Sequence, residues 1–290
     1  MKWTDGLDGV CMFHIKKMAK KDFLFACQLS NTMNWNATIE DFELATTLEP
    51  EGCFVLLDGA KRVALATTVS FGKISWFGNL IVRGEYRRKG AGILLTKHAL
   101  EYLRSKDVET IGLYAYPHMI GFYERLGFKK DADFSVLKGK PTPRTEMKPL
   151  ERIQEADFPS VITLDQQCFG ADRTKLLNPI LHGNQNYCYV SSDQSGMKGY
   201  IASNVYERIA IVGPLVCVLE GDSSAKSLLG NVLNKLRGFY VFICVQRKEI
   251  DLLSMLFSAG FREDFRVSRM FLGSSVAPKC IYLPESLERG

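Results

Sequence analysis

The apolar positions of this 290-residue chain alternate between two periods, and the whole alternation runs twice. Three- and four-residue spacing marks helices over 20–33 and 39–48, and again at Leu94, Leu95, Ala99, Tyr102 and Leu103. Short apolar runs predict strands over 53–58, 62–71, 74–82 and 109–116; a helix bearing Tyr123 then leads into one further strand. Lys138-Gly139-Lys140-Pro141-Thr142-Pro143-Arg144 reads as a linker. Beyond it the order recurs, with helices over 155–168 and 172–182, the second capped by Asp172. Strands follow over 187–192, 199–206 and 210–218, with Asp193-Gln194-Ser195-Gly196 as a turn. A helix over 223–236, a strand over 239–245, a helix over 249–259 and a strand over 261–271 finish the second round. Ser258-Ala259-Gly260-Phe261 echoes Arg125-Leu126-Gly127-Phe128. Strands alternating with helices in two matching rounds predict an α/β fold made by tandem duplication. The expected borders are a first domain over 1–140, a linker over 141–150 and a second domain over 151–290.

One junction in this pattern carries chemistry. The strand ending Leu80-Ile81-Val82 leads through Tyr86-Arg87-Arg88-Lys89-Gly90-Ala91-Gly92-Ile93 into a helix, giving three consecutive cations and two glycines. The first N–H groups of a helix lack internal partners, and the helix dipole is positive there. Gly90 and Gly92 let the backbone bend and approach a ligand closely. A pyrophosphate is the natural occupant.

Composition narrows the rest. A net charge of +5 suits an anionic ligand, but no basic tail or stripe argues for nucleic acid. No apolar run reaches the length of a membrane span, and Met1-Lys2-Trp3-Thr4-Asp5-Gly6 lacks the apolar core of a signal peptide. Eight cysteines are scattered without a CxxC pair, several inside apolar runs such as Val216-Cys217-Val218. Reduced core thiols in a cytoplasmic protein are expected, with no metal site, no nucleic acid and no membrane partner.

The pattern Arg87-x-x-Gly90-x-Gly92 resembles the acyl-coenzyme A (CoA) loop of the GCN5-related N-acetyltransferases (GNATs), and Gly121-Phe122-Tyr123-Glu124-Arg125-Leu126-Gly127-Phe128 resembles their second signature. The resemblance implies two tandem GNAT-like domains, each a mixed, mostly antiparallel twisted sheet flanked by helices. It also implies acetyl-CoA as cosubstrate, held by Arg87, Arg88, Lys89, Gly90, Ala91, Gly92 and Ile93. In the family, the strand edge matched by Leu80, Ile81 and Val82 pairs with the pantetheine arm. Tyr123 matches the position that protonates the departing thiolate; a phenol of pKa about 10 facing a thiol of pKa about 8.5 suits that task. A half-buried packing aromatic is the alternative for Tyr123.

The catalytic base is left open. Trp76-Phe77-Gly78-Asn79-Leu80 offers no carboxylate, His118 fits an exposed loop as well as a base, and Glu40 and Asp41 suit a helix start. Asn34-Trp35-Asn36-x-Thr38-x-x-Asp41, Ser75-Trp76 and Asp165-x-x-x-Phe169-Gly170-Ala171-Asp172-Arg173 resemble tandem N-acetyltransferases of the YitH type, in which an active first domain precedes a degenerate one. Trp35, Asn36, Asp41, Trp76, Asp165 and Arg173 are therefore candidates for an acceptor pocket at the domain junction, with core packing or an ion pair as the alternatives. The offset from Gly92 to Gly127, applied back from Gly260, falls at Ala225. Glu220 and Asp222 there oppose an anion, and Leu256 replaces Tyr123, so only the first half is expected to act. The expected function is acetyl transfer to the primary amine of a small molecule by direct attack, in a monomer or homodimer. A protein lysine or N-terminal acetyltransferase, and a non-catalytic acyl-CoA sensor, are the rivals.

Overall fold

The computed structural model describes residues 12–35, 37–142, 149–218, 222–276 and 280–290, with Asp222 and Ser223 described by their backbone alone. The elements are β1 (Phe13–Lys17), α1 (Lys20–Asn31), α2 (Ile39–Leu48), β2 (Cys53–Asp58), β3 (Lys61–Phe71), β4 (Ile74–Val82), α3 (Ala91–Arg104), β5 (Thr110–Ala115), α4 (Ile120–Glu124) and β6 (Lys129–Gly139). They continue with α5 (Phe158–Phe169), α6 (Thr174–Leu181), β7 (Tyr189–Asp193), β8 (Gly196–Tyr206), β9 (Ile209–Val218), α7 (Asp222–Lys235), β10 (Tyr240–Gln246), α8 (Ile250–Ser258), β11 (Arg262–Leu272) and β12 (Cys280–Leu283). The order α1-α2-β2-β3-β4-α3-β5-α4-β6 is repeated element for element by α5-α6-β7-β8-β9-α7-β10-α8-β11; β1 and β12 stand outside the repeat. Among the described residues no helix is long and apolar enough to cross a membrane.

The chain divides into two compact units, one ending at Glu109 and the other spanning Thr110–Gly290. In the first, β1, β2, β3 and β4 form an antiparallel sheet in sequence order. Alternation along β2 assigns its faces. Cys53 and Val55 join Phe23, Ala26, Leu29 and Phe42 of α1 and α2 in one core. Phe54 points the other way and meets His98 and Tyr102 of α3 edge-on. The buried Asp22 ties α1 down, accepting from Arg62 Nε at 2.6 Å, from the Ala19 N–H at 3.0 Å and from Lys16.

The second unit is built on strands in the order β5-β11-β6-β10-β9-β8-β7. Within it β11 separates β5 from β6, and β6 separates β11 from β10. The last strand of each repeat, β6 or β11, is thus inserted among strands of the other. That weave is why the compact units part at Glu109 and Thr110, whereas the sequence pattern sets the border at 141–150. The stretch read as a linker also begins inside β6, where Lys138 pairs with Phe242 and Gly139 with Val241. Pro143 and Arg144 lie outside the described residues.

The echo between the halves is structural. Phe128, Leu126 and Gly127 N–H donate to the carbonyls of Tyr123, Tyr123 and Glu124; Phe261, Ala259 and Gly260 donate to those of Leu256, Leu256 and Phe257. Gly127 and Gly260 take left-handed φ values of +93° and +90°. These helix stops are one motif used twice. Leu256 occupies the place of Tyr123 and is fully buried.

Candidate active site

The sheet of the first unit delivers its last strand to the turn expected to bind an anion. Between β4 and α3 the chain makes a short turn at Gly84–Tyr86, then passes through Arg88 at φ +64° and Gly90 at φ +80°. Gly90 is the N-cap of α3. A Cβ on Gly90 would meet nothing within 4 Å, so the backbone angle, not crowding, selects glycine. The Leu94 N–H closes the first helical bond onto the Gly90 carbonyl at 2.9 Å. The N–H groups of Ala91, Gly92 and Ile93 therefore precede the first intrahelical donor and face outward from the helix end.

Around this end the side chains are ordered without covering it. Tyr86 is buried, and its hydroxyl donates to Asp58 Oδ2 at 3.0 Å. The Lys89 ammonium lies 5.7 Å from the centre of the Tyr86 ring. Arg87 Nε donates to the Val82 carbonyl at 3.1 Å, and Nη2 reaches the Met33 sulfur at 3.4 Å. Arg87, Arg88, Lys89 and Gly90 are exposed. Exposed cations and outward amides at the positive end of a 14-residue helix fit a diphosphate.

Just before the turn, β4 carries a β-bulge. Its register with β3 runs from Leu65–Ile81 to Thr67–Gly78, so Asn79 and Leu80 together oppose Ala66. Asn79 is left-handed at φ +51°, and its Nδ2 donates to Thr67 Oγ1 at 3.1 Å. Beyond it Ile81 points into the α1–α2 core, while Leu80 and Val82 are half-buried. Sequence reasoning missed this bulge. Gly78-Asn79 inside an apolar run was the signal that could have shown it.

Tyr123 lies on α4, in the second unit. It is 7% exposed, with Phe122 and Phe128 edge-on to its ring. Burial raises its pKa above the ordinary phenol value. His118 is exposed and stacks on Tyr116, centroids 5.7 Å apart.

The acceptor candidates take other work. Asp41 closes the capping box of α2, accepting from Thr38 N at 2.9 Å and Thr38 Oγ1 at 3.2 Å. Trp35 is half-buried against the α1–α2 core, Trp76 is a core residue at 2% exposure, and Asn36 lies outside the described residues. Asp165 and Arg173 pair with each other inside the second unit. Arg173 donates through Nε to Asp165 Oδ2 at 3.0 Å and through Nη2 to Oδ1 at 2.6 Å. Its Nη1 donates to Tyr282 Oη and to the Gly290 main-chain oxygen, both at 2.8 Å, and Tyr200 donates to Asp165. Burial works against the Arg173 charge, but Asp165, Tyr282 and Tyr200 hold its pKa above the usual arginine value. A buried guanidinium with its donors engaged is a structural tie, which corrects the reading of Asp165 and Arg173 as acceptor ligands.

Comparisons with known proteins identify the family. The family model described as "Acetyltransferase (GNAT) family" matches residues 21–128, and the one described as "Acetyltransferase (GNAT) domain" matches residues 161–281. The chain is a tandem GNAT. An uncharacterised N-acetyltransferase, ycf52 of Gracilaria tenuistipitata var. liui, is 33% identical over 64 residues, covering 22% of this chain and 34% of that protein. The uncharacterised N-acetyltransferase YitH of Bacillus subtilis strain 168 is 26% identical over 129 residues, 43% of this chain and 45% of that protein. The matched segments thus span between a third and a half of those curated relatives. Among solved structures, a chain from Pyrococcus horikoshii aligns over 99% of both chains at a TM-score of 0.81 and 20% identity. A tandem GNAT protein from the clavulanic acid biosynthesis pathway aligns over 91% of this chain and all of that one, at a TM-score of 0.61 and 14% identity. At those identities the likeness is one of fold.

Proposed function

We propose that the protein is an acetyl-CoA-dependent N-acetyltransferase acting on the primary amine of a small molecule by direct attack on the thioester. The observation that carries this reading is the turn from β4 into α3, where exposed Arg87, Arg88 and Lys89 surround a helix end capped by left-handed Gly90. That turn binds the diphosphate of the cosubstrate. The backbone of Leu80 to Val82 aligns its amide-bearing arm, and the Tyr123 phenol donates to the sulfur as it leaves. The acceptor must lose a proton to attack; His118, exposed and stacked on Tyr116, is a candidate to take it through water, with an exposed loop residue as the alternative. The first sequence half is the catalytic one in this reading, and the second supports it. The seven described cysteines are free thiols, which suits a reducing compartment such as the cytoplasm.

A non-catalytic acyl-CoA sensor is the second reading, favoured by the lack of any carboxylate in Trp76-Phe77-Gly78-Asn79-Leu80. Titration calorimetry with acetyl-CoA, joined to a thiol-release screen across amines, separates them. Gly92→Glu adds a side chain and a negative charge at the second position of α3 and is expected to abolish CoA binding while the protein stays folded. Unchanged affinity in Gly92→Glu removes the loop assignment. Binding without thiol release by any amine selects the sensor.

A further inference from the structure

The same irregularity sits at matching places in the two halves. In the first, Asn79 and Leu80 of β4 together oppose Ala66. In the second, β8 and β9 pair Ile201 with Leu215 and Ser203 with Val212, so Gly213 and Pro214 together oppose Ala202. Both are single-residue bulges in the strand that leads to α3 or to α7, flanked on the partner strand by Leu65-Ala66-Thr67 and Ile201-Ala202-Ser203. Register sets Asn79 level with Gly213 and Leu80 level with Pro214.

The second bulge shows what passes along it. The edge of β9 away from β8 is shared. Residues 209–212 pair with β10, and residues 215–218 pair with β12. β12 starts with Cys280 beside Val218 and reaches Leu283 beside Leu215, and Pro284 then arrives at the bulge. A Cβ built on Gly213 would stand 2.1 Å from the Pro284 carbonyl oxygen. An extended chain crosses this bulge because residue 213 has no side chain.

The first bulge has one. Asn79 tolerates the left-handed angle as few residues do, and its amide is tied to the buried Thr67 hydroxyl. An extended arm coming from the α3 end past Val82 and Ile81 would follow the course of β12 past Val216 and Leu215, and would reach Asn79 where the chain after β12 reaches Gly213. Resting on the function proposed above, in which that arm ends in the acyl thioester, we infer that Asn79 is the specificity-determining residue that stops the acyl chain. The protein then takes acetyl or comparably short acyl groups and rejects long ones.

The test compares CoA, acetyl-CoA and hexanoyl-CoA by calorimetry on the full chain, each acyl affinity taken relative to that of CoA. Wild type is expected to favour acetyl over hexanoyl by at least about tenfold, as for a pocket too small for added methylenes. Asn79→Gly keeps the left-handed backbone, removes the side chain and is expected to bring the two within about threefold by strengthening hexanoyl-CoA. Asn79→Asp keeps the size and the reach to Thr67 and is expected to keep the acetyl preference. An equal preference in wild type overturns the inference, and so does an unchanged ratio in Asn79→Gly; both leave the proposed function standing. Should Asn79→Gly not fold, the wild-type ratio alone decides. A wild type that binds none of the three overturns the inference and the function together.

Discussion

Burial raises the pKa of the Tyr123 phenol, so the side chain stays protonated to higher pH than a free tyrosine, whose pKa is about 10. The same burial makes it a weaker acid, better suited to a hydrogen bond toward a leaving thiolate than to outright proton transfer. Tyr123→Phe keeps the ring and its edge-on contacts with Phe122 and Phe128, so stability should hold. General acid catalysis contributes about 10²–10⁴-fold, and water can replace part of it, so turnover should fall at least about tenfold with the apparent affinity for the acceptor little altered. Steady-state kinetics with the amine found in the thiol-release screen measure both. Full activity in Tyr123→Phe makes the residue a packing aromatic. No activity-linked ionisation of Tyr123 is expected below about pH 10, because the shift is upward.

At the scale of elements, Asp22 is the joint of the first unit, linking β1 through Lys16, α1 through the Ala19 N–H and β3 through Arg62. Burial opposes its ionisation, yet Lys16, Arg62 and the Ala19 N–H outweigh that and lower its pKa. A lowered folded pKa contributes stability that is complete above the unfolded value of about 3.9 and is lost as pH falls through the folded one. Asp22→Asn should therefore cost about 1–3 kcal/mol at pH 7, as for loss of charge-assisted hydrogen bonds whose cationic partners, Lys16 and Arg62, stay partly solvated. Denaturant titrations should show that gap steady from pH 7 to about pH 5 and closing below about pH 4; a gap that widens in acid contradicts the assignment. Most elements were legible from period and punctuation. The strands β2 to β4, with their alternating or continuous apolar runs, fall within a residue of their expected bounds. Helix starts were less so. α3 begins at Ala91, three residues before the first apolar position of its stripe, because a glycine cap and small residues carry no periodicity. α5 begins at Phe158 after a separate turn at Glu155–Asp157, with Pro159 in its first turn. β1 and β12 are five and four residues long, too short to show a period. The insertion of β11 beside β5 was not legible at all, since pairing between distant strands leaves no local mark. Of the candidate site, the junction from β4 into α3 was legible because its glycines and cations are contiguous; the Asn79–Thr67 tie was not, because it joins two strands.

At the scale of the whole molecule, duplication has been followed by divergence, and the structure supplies a stronger reason for it than charge. Of the sequence signs, Glu220 lies outside the described residues, as does the side chain of Asp222, while Leu256 is buried where the first half has Tyr123. What decides the matter is the edge of β9. Leu215 and Val216, which correspond to Ile81 and Val82, pair with β12, and the Pro284 carbonyl stands where a side chain at the bulge would be. The segment is locked beyond β12 as well. Arg173 holds Tyr282 and Gly290, and Glu285 is buried with Asn204 and Arg289 donating to its carboxylate. For an extended ligand to enter, it would have to strip four residues of strand pairing and this buried polar network, in which removal of one partner alone typically costs about 3–5 kcal/mol. One acetyl-CoA per chain is therefore expected, bound in the first sequence half. Calorimetry should give a stoichiometry near one, and Gly92→Glu should bring it to zero, with no weaker second binding event uncovered. A residual equivalent site in that variant, or a ligand-bound structure with an arm beside Leu215 to Val218, would show β12 to be displaceable and the second half to be a second acyl-CoA site.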